Sequence, residues 1–128
     1  MAKGFKDYLA EANAVVKTHD VPGASALIGR DDVQFIDVRD GNEVQANGRI
    51  PGAVHASRGL LEFKIDPTSP MHDPVFESGK QFVFYCGTGG RSALAAKLAM
   101  DMGLEHVSHM AGGFAAWKEG GHTIESAD

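Results

Sequence analysis

Cysteine is almost missing from this chain: Cys86 is the only one among 128 residues. An internal disulfide is excluded, which fits a reducing compartment and leaves the thiol free for chemistry. Long apolar runs are missing too, and no stretch approaches the roughly 20 residues needed to span a bilayer as a helix. Behind Met1-Ala2-Lys3 there is no apolar signal core, because Asp7, Glu11 and Asn13 interrupt it, so a cytoplasmic protein with no membrane partner is expected. Basic runs are absent and the net charge is -5, which argues against a nucleic-acid partner. Hydrophobic residues at 43% and charged residues at 23% lie near globular averages, which argues against disorder. The length suits one domain with one core.

Periodicity supplies the elements. Phe5, Leu9, Ala12 and Val16 share one helical face, which predicts an amphipathic helix over 5–17 ahead of a core spanning 18–124. Val21-Pro22-Gly23 reads as a break, followed by a short helical piece over 24–28. The β-branched and aromatic run 33–38 predicts a buried strand, and a short helix carrying Glu43 and Val44 follows. Strands are also predicted over 54–56, 81–85 and 105–110. Pro67, Pro70 and Pro74 exclude a long helix from 57–79, where loops and helical turns are expected. A helix over 91–102 stops at Gly103, and a last short one covers 114–118. Strands alternating with helices point to an α/β fold with a central, largely parallel sheet. Ligands of such sheets sit beyond the carboxyl ends of strands, and Cys86 directly follows one.

The loop Cys86-Gly87-Thr88-Gly89-Gly90-Arg91 carries the chemistry. Glycines let a backbone turn tightly and approach an anion, while the helix behind points unpaired amides at the same place. A thiol held there should be a thiolate, since a helix N-terminus and a guanidinium can lower its pKa from about 8.5 into the range of roughly 3.5–7.5. Free cysteine is by default a buried small hydrophobe. A core cysteine has no need of three glycines and an arginine after it, so the reactive reading is preferred, with the loop facing solvent. The candidate site is Cys86 as nucleophile, with Gly87, Thr88, Gly89, Gly90 and Arg91 binding an anionic substrate.

Asp37-Val38-Arg39 with Glu43, Gly48-Arg49-Ile50-Pro51-Gly52-Ala53, the loop from Cys86 to Arg91 with Ser92, and Gly112-Gly113-Phe114 with Trp117 together resemble the rhodanese-like sulfurtransferases. The four pieces run in that family's order over 24–121. The resemblance implies a single rhodanese-like domain over 1–128, three layers deep, with helices flanking the sheet. It implies a Cys86 persulfide, formed from a small sulfane-sulfur donor such as thiosulfate or a persulfide, and collected by cyanide or a thiol, including a protein thiol. A persulfide-carrying or protein-binding module with little turnover is the alternative. Phosphatase and arsenate-reductase relatives carry a loop one residue longer than the four residues between Cys86 and Arg91. Good thiosulfate users of the family place a cation directly after the cysteine or soon after it, whereas Gly87, Thr88 and Gly89 are uncharged.

Around this loop, Asp37 and Arg39 are expected near the mouth of the sheet, with Arg39 paired to Glu43. Arg58 is expected to fold over the mouth; His55 and His72 can approach it through the loop segment, though a lone loop histidine is more often merely solvated. His106 and His109, three apart in one strand, would face opposite ways and share no metal. Met100, Met102 and Met110 read as core filling. Trp117 and Phe114 should pack the last helix on the sheet, and Gly112-Gly113 should bring that backbone close to the loop. No metal or cofactor is implied.

Overall fold

The computed structural model describes residues 2–127. Its centre is β4 (Gln81–Tyr85), where alternation sorts the side chains: Phe82 and Phe84 enter one core cluster, Val83 and Tyr85 the other. β2 (Val33–Asp37) does the same with Ile36 and Phe35. A strand buried on both faces belongs in the middle of a parallel sheet. The sheet has five strands in the order β1-β5-β4-β2-β3, and every pairing is parallel. The remaining strands are β1 (Lys17–His19), β3 (Val54–His55) and β5 (Val107–Met110).

Helices cover both faces and make three layers. α4 (Leu61–Ile65) and α5 (Gly90–Asp101) supply Leu61, Ile65, Ala95, Ala96 and Ala99 to the cluster with Phe82 and Phe84. α1 (Phe5–Val15) packs against α5. On the opposite face α2 (Val21–Ser25) and α6 (Gly113–Glu119) supply Ala24, Phe114 and Trp117. Each large apolar side chain buried this way contributes about 1.5–3 kcal/mol of transfer free energy. α5 closes as expected: Gly103 takes φ 98°, and the amides of Gly103 and Leu104 return to the carbonyls of Met100 and Ala99.

Several boundaries move. The first helix stops at Val15, and 17–19 form the edge strand β1, too short and polar to stand out as a strand. Val21-Pro22-Gly23 starts α2 instead of breaking the chain, because Asp20 accepts from the Gly23 amide and Pro22 sits in the first turn, where its missing N–H costs nothing. β5 begins at Val107, leaving His106 outside it at φ 57°. Of the three methionines expected in the core only Met110 is buried, since Met100 and Met102 fall on the solvent side at the end of α5. The segment 57–79 holds 3-10 turns at Arg58–Leu60 and Pro74–Glu77 around α4.

The loops after β2 and β4 are where the site can form. β2 leads through α3 (Gly41–Asn47) to β3 on one side, and β4 leads through α5 to β5 on the other. The connections diverge between these neighbouring strands, which opens a crevice at their carboxyl ends.

Candidate active site

Cys86 continues the alternation of Phe82 and Phe84, so its side chain turns inward beneath the start of α5 and only 1% of the residue is exposed. The loop faces solvent as expected at Thr88, with its glycines and Arg91 half-buried, but Cys86 itself is buried. The sulfur is nonetheless surrounded by donors: the Gly89 amide donates to Sγ at 3.1 Å, the Ser92 amide at 3.4 Å, and Ser92 Oγ lies 3.6 Å away. Burial pushes the thiol pKa up. The Ser92 hydroxyl and the amides of Ser92, Gly89 and Thr88 outweigh it, and the net direction is down. Gly89 makes the turn possible at φ 111°, and a Cβ there would stand 3.3 Å from the Gly112 nitrogen.

Arg91 leaves the first turn of α5 on the other side of the loop and forks onto Glu43, with Nη1 donating to Oε1 at 2.6 Å and Nη2 to Oε2 at 3.0 Å. Glu43 Oε1 also accepts from the Asp40 amide, which ties the start of α3 to the start of α5. The Arg91 contact holds the Glu43 carboxyl down at about 2, and the Glu43 contact raises Arg91 above its ordinary value. The guanidinium expected to bind an anion is therefore already neutralised, though its field still reaches Cys86. A cavity of about 370 Å³ opens here, bounded by Gly87, Thr88, Arg91, Arg39 and Glu43. Lys118, Asn47 and Ala115 complete the rim, and the sequence alone gave no sign of them.

Arg39 does not pair with Glu43. The turn after β2 folds it back on Asp37, with Nη2 donating to Oδ2 at 2.7 Å and the Arg39 amide to Oδ1 at 3.0 Å. Both residues are buried, and Arg39 also donates to the Gly48 carbonyl and stacks 4.2 Å from the Phe114 ring centroid. Tyr85 Oη donates to Asp37 Oδ2 at 2.8 Å and accepts from the Ile50 amide. Burial would lower Arg39, but the Asp37 carboxylate holds it raised, while burial and Asp37 push Tyr85 upward. Asp37 is fully enclosed and holds Arg39, which forms part of the cavity wall.

The Gly112-Gly113 expectation holds. The Phe114 amide donates to the Cys86 carbonyl at 2.7 Å and the Ala115 amide to the Gly87 carbonyl at 3.0 Å. A Cβ on Gly113 would lie 2.5 Å from the Cys86 oxygen. Phe114 and Trp117 are buried, Trp117 beside Phe35, as expected for packing α6 on the sheet.

Other candidates lie elsewhere. Arg58 pairs with Glu62 and lines a groove with Phe5, Tyr8 and Leu94 between α1 and α5, so it does not cover the mouth. His55 contacts the Arg39 carbonyl and His72 pairs with Glu77, and neither lines the cavity. His109 is buried with Nδ1 3.1 Å from Ser92 Oγ, a contact the sequence reading missed because it joins β5 to α5.

The three-layer parallel α/β fold thus presents a thiol held by backbone amides at the carboxyl end of its central strand. The rhodanese-like domain family model matches residues 21–120, and the chain belongs to that family. It is 32% identical over 93 residues to the thiosulfate sulfurtransferase GlpE of Pseudoalteromonas translucida, covering 72% of this chain and 79% of that protein. It is 28% identical over 97 residues to the mouse thiosulfate sulfurtransferase/rhodanese-like domain-containing protein 3, covering 72% of this chain but spanning only 62% of the mouse protein's length. A solved structure from Rhodopseudomonas palustris, a protein of unknown function described as a possible tyrosine phosphatase, superposes with a TM-score of 0.94 at 49% identity over 98% of this chain and 96% of that one. Among the described residues, no helix is long and apolar enough to cross a membrane.

Proposed function

We propose that this protein is a sulfurtransferase that carries sulfane sulfur as a persulfide on Cys86. The observation that carries the reading is the pair of amide donations from Gly89 and Ser92 to the sulfur, which favour its anion in an otherwise buried place. The thiolate attacks the outer sulfur of a donor such as thiosulfate, a sulfur–sulfur bond forms on Cys86, and sulfite leaves with the electron pair of the broken bond. A second nucleophile, cyanide or a thiol, then attacks the terminal sulfur, and Cys86 leaves as a thiolate. The amides of the loop from Gly87 to Arg91 favour the negative charge on that terminal sulfur.

The loop carries no side-chain cation from Gly87 to Gly90, and the Arg91 fork is filled by Glu43. A sulfonate therefore lacks a charge-assisted partner on the loop, which supports weak thiosulfate use and a persulfide donor. The neighbour described as a possible tyrosine phosphatase makes phosphate ester hydrolysis the reading to separate. The short loop and the occupied Arg91 disfavour it, because a free guanidinium is the side chain that grips a phosphoryl group bidentately.

Steady-state turnover with thiosulfate and cyanide, run beside p-nitrophenyl phosphate, tests the proposal. Sulfur transfer with parallel double-reciprocal lines, abolished in Cys86→Ser, is expected. Phosphatase turnover that needs Cys86, without sulfur transfer, would overturn it.

A further inference from the structure

Ser92 Oγ has one proton and three neighbours: the Cys86 sulfur at 3.6 Å, the Gly89 carbonyl at 3.2 Å and His109 Nδ1 at 3.1 Å. Where that proton goes decides what the hydroxyl does for the nucleophile. If His109 Nδ1 is an unprotonated acceptor, it competes for the proton, and the hydroxyl lone pairs are left facing the sulfur. Such an arrangement suits a thiol that donates to oxygen and works against a thiolate. If Nδ1 carries a hydrogen, it fills an oxygen lone pair, and the hydroxyl proton is shared between the Gly89 carbonyl and an anionic sulfur, whose charge makes it the stronger acceptor.

The other ring nitrogen chooses between these states. His109 is 3% exposed, and its Nε2 is buried with no hydrogen-bond partner among the described residues. An orphaned buried N–H is rarer and costlier than an orphaned lone pair, so the hydrogen belongs on Nδ1. A doubly protonated ring would bury both a charge and an unpaired N–H, and burial and the neighbouring His19 both lower the His109 pKa. His109 is thus a neutral donor and not a base that removes the cysteine proton.

We propose that His109 is a positioning residue for the nucleophile: its Nδ1–H donates to Ser92 Oγ, which leaves the hydroxyl proton only the Gly89 carbonyl and the Cys86 sulfur, and the charge of a thiolate draws it to sulfur. The layer is built from three elements, with His109 on β5, Ser92 on α5 and Cys86 at the end of β4. Facing it are His19 on β1, which acts on His109, and Arg91 on α5, which acts on Cys86 while paired to Glu43 of α3. Asp40 before α3 acts on Arg91. None of these carboxylates or cations touches the Ser92 hydroxyl.

The inference rests on Cys86 being the nucleophile, but its test needs no sulfur donor and so fails separately from the sulfurtransferase reading. The thiolate absorbance in the ultraviolet is titrated in the wild type, His109→Asn, His109→Phe, Ser92→Ala and the Ser92→Ala/His109→Phe double variant, with Cys86→Ser as the blank. The wild-type midpoint should lie below the free-thiol value of about 8.5. His109→Phe should raise it by about half to one pH unit, the worth of one neutral hydrogen bond. His109→Asn, whose amide N–H can stand near the Nδ1 position, should restore the wild-type midpoint. Ser92→Ala should raise it also, and His109→Phe should add nothing on that background. A wild-type midpoint in His109→Phe, or an equal shift that persists without the Ser92 hydroxyl, would overturn the proposal. Should His109→Phe fail to fold, imidazole nitrogen NMR of the wild type decides: a hydrogen on Nδ1 supports it, and one on Nε2 overturns it.

Discussion

Gly87 stands directly after Cys86 and outside the left-handed region, and a Cβ added there would meet Arg91 Nη2 at 3.1 Å and Glu43 Oε2 at 3.7 Å. Both atoms belong to the Arg91–Glu43 fork, which must give by a few tenths of an ångström, but the backbone there is not left-handed, so the position accepts a side chain, unlike Gly89 at φ 111°. Gly87→Ala should therefore keep the wild-type apparent thiosulfate affinity within about twofold, a few tenths of a kcal/mol. Gly87→Arg should improve that affinity, by at most about 1–3 kcal/mol for one charged hydrogen bond, with the gain shrinking as salt rises. Kinetics of the two variants over a salt series check this, and an equal collapse of both would show that the glycine is needed for backbone geometry. At this scale the sequence pointed to Cys86 and its loop as the candidate site, because glycines around a lone cysteine are a local pattern. It did not reveal the pairing of Arg91 with Glu43 or of Ser92 with His109, since each joins residues from different elements.

The elements meet most tightly where α6 begins. Gly113 takes φ 60°, and its missing Cβ makes room for the Cys86 carbonyl and the Gly87 backbone. Through the Phe114 and Ala115 amides, α6 holds the first peptide units of the loop in place. Gly113→Ala should displace α6 from the loop and cost about 1–3 kcal/mol, as overpacking and a left-handed alanine both require. Urea denaturation measures the loss, and sulfur transfer should fall with it. Wild-type stability and turnover together would show that the contact has no such role. The strands with two buried faces were readable from runs such as Phe82-Val83-Phe84-Tyr85. β1 was not, because three residues, Lys17-Thr18-His19, that owe their strand state to pairing with β5 carry no periodicity of their own.

Across the whole molecule, the buried Asp37–Arg39 pair links the end of β2 to the Gly48 carbonyl after α3, to Tyr85 on β4 and to Phe114 on α6. Asp37→Ala leaves the Arg39 guanidinium buried without its carboxylate, and a loss of about 3–5 kcal/mol is expected from urea denaturation. A loss below about 1 kcal/mol would mean that Gly48 and the Phe114 ring satisfy Arg39 alone. The sequence placed both residues near the mouth but assigned Arg39 to Glu43, since helical spacing says nothing about a chain that doubles back within two residues at a strand end. Arg39 and Phe114 of this network line the cavity with Gly87, and the Phe114 amide holds the Cys86 carbonyl, so fold and site depend on each other. We propose that this arrangement makes Cys86 a sulfur carrier, and the mass of the intact protein reports that role. Reduced protein incubated with thiosulfate or a small-molecule persulfide should gain the mass of one sulfur atom, lose it on treatment with cyanide or dithiothreitol, and gain nothing as Cys86→Ser. A wild-type protein that takes up no sulfur from any sulfane donor would contradict the account.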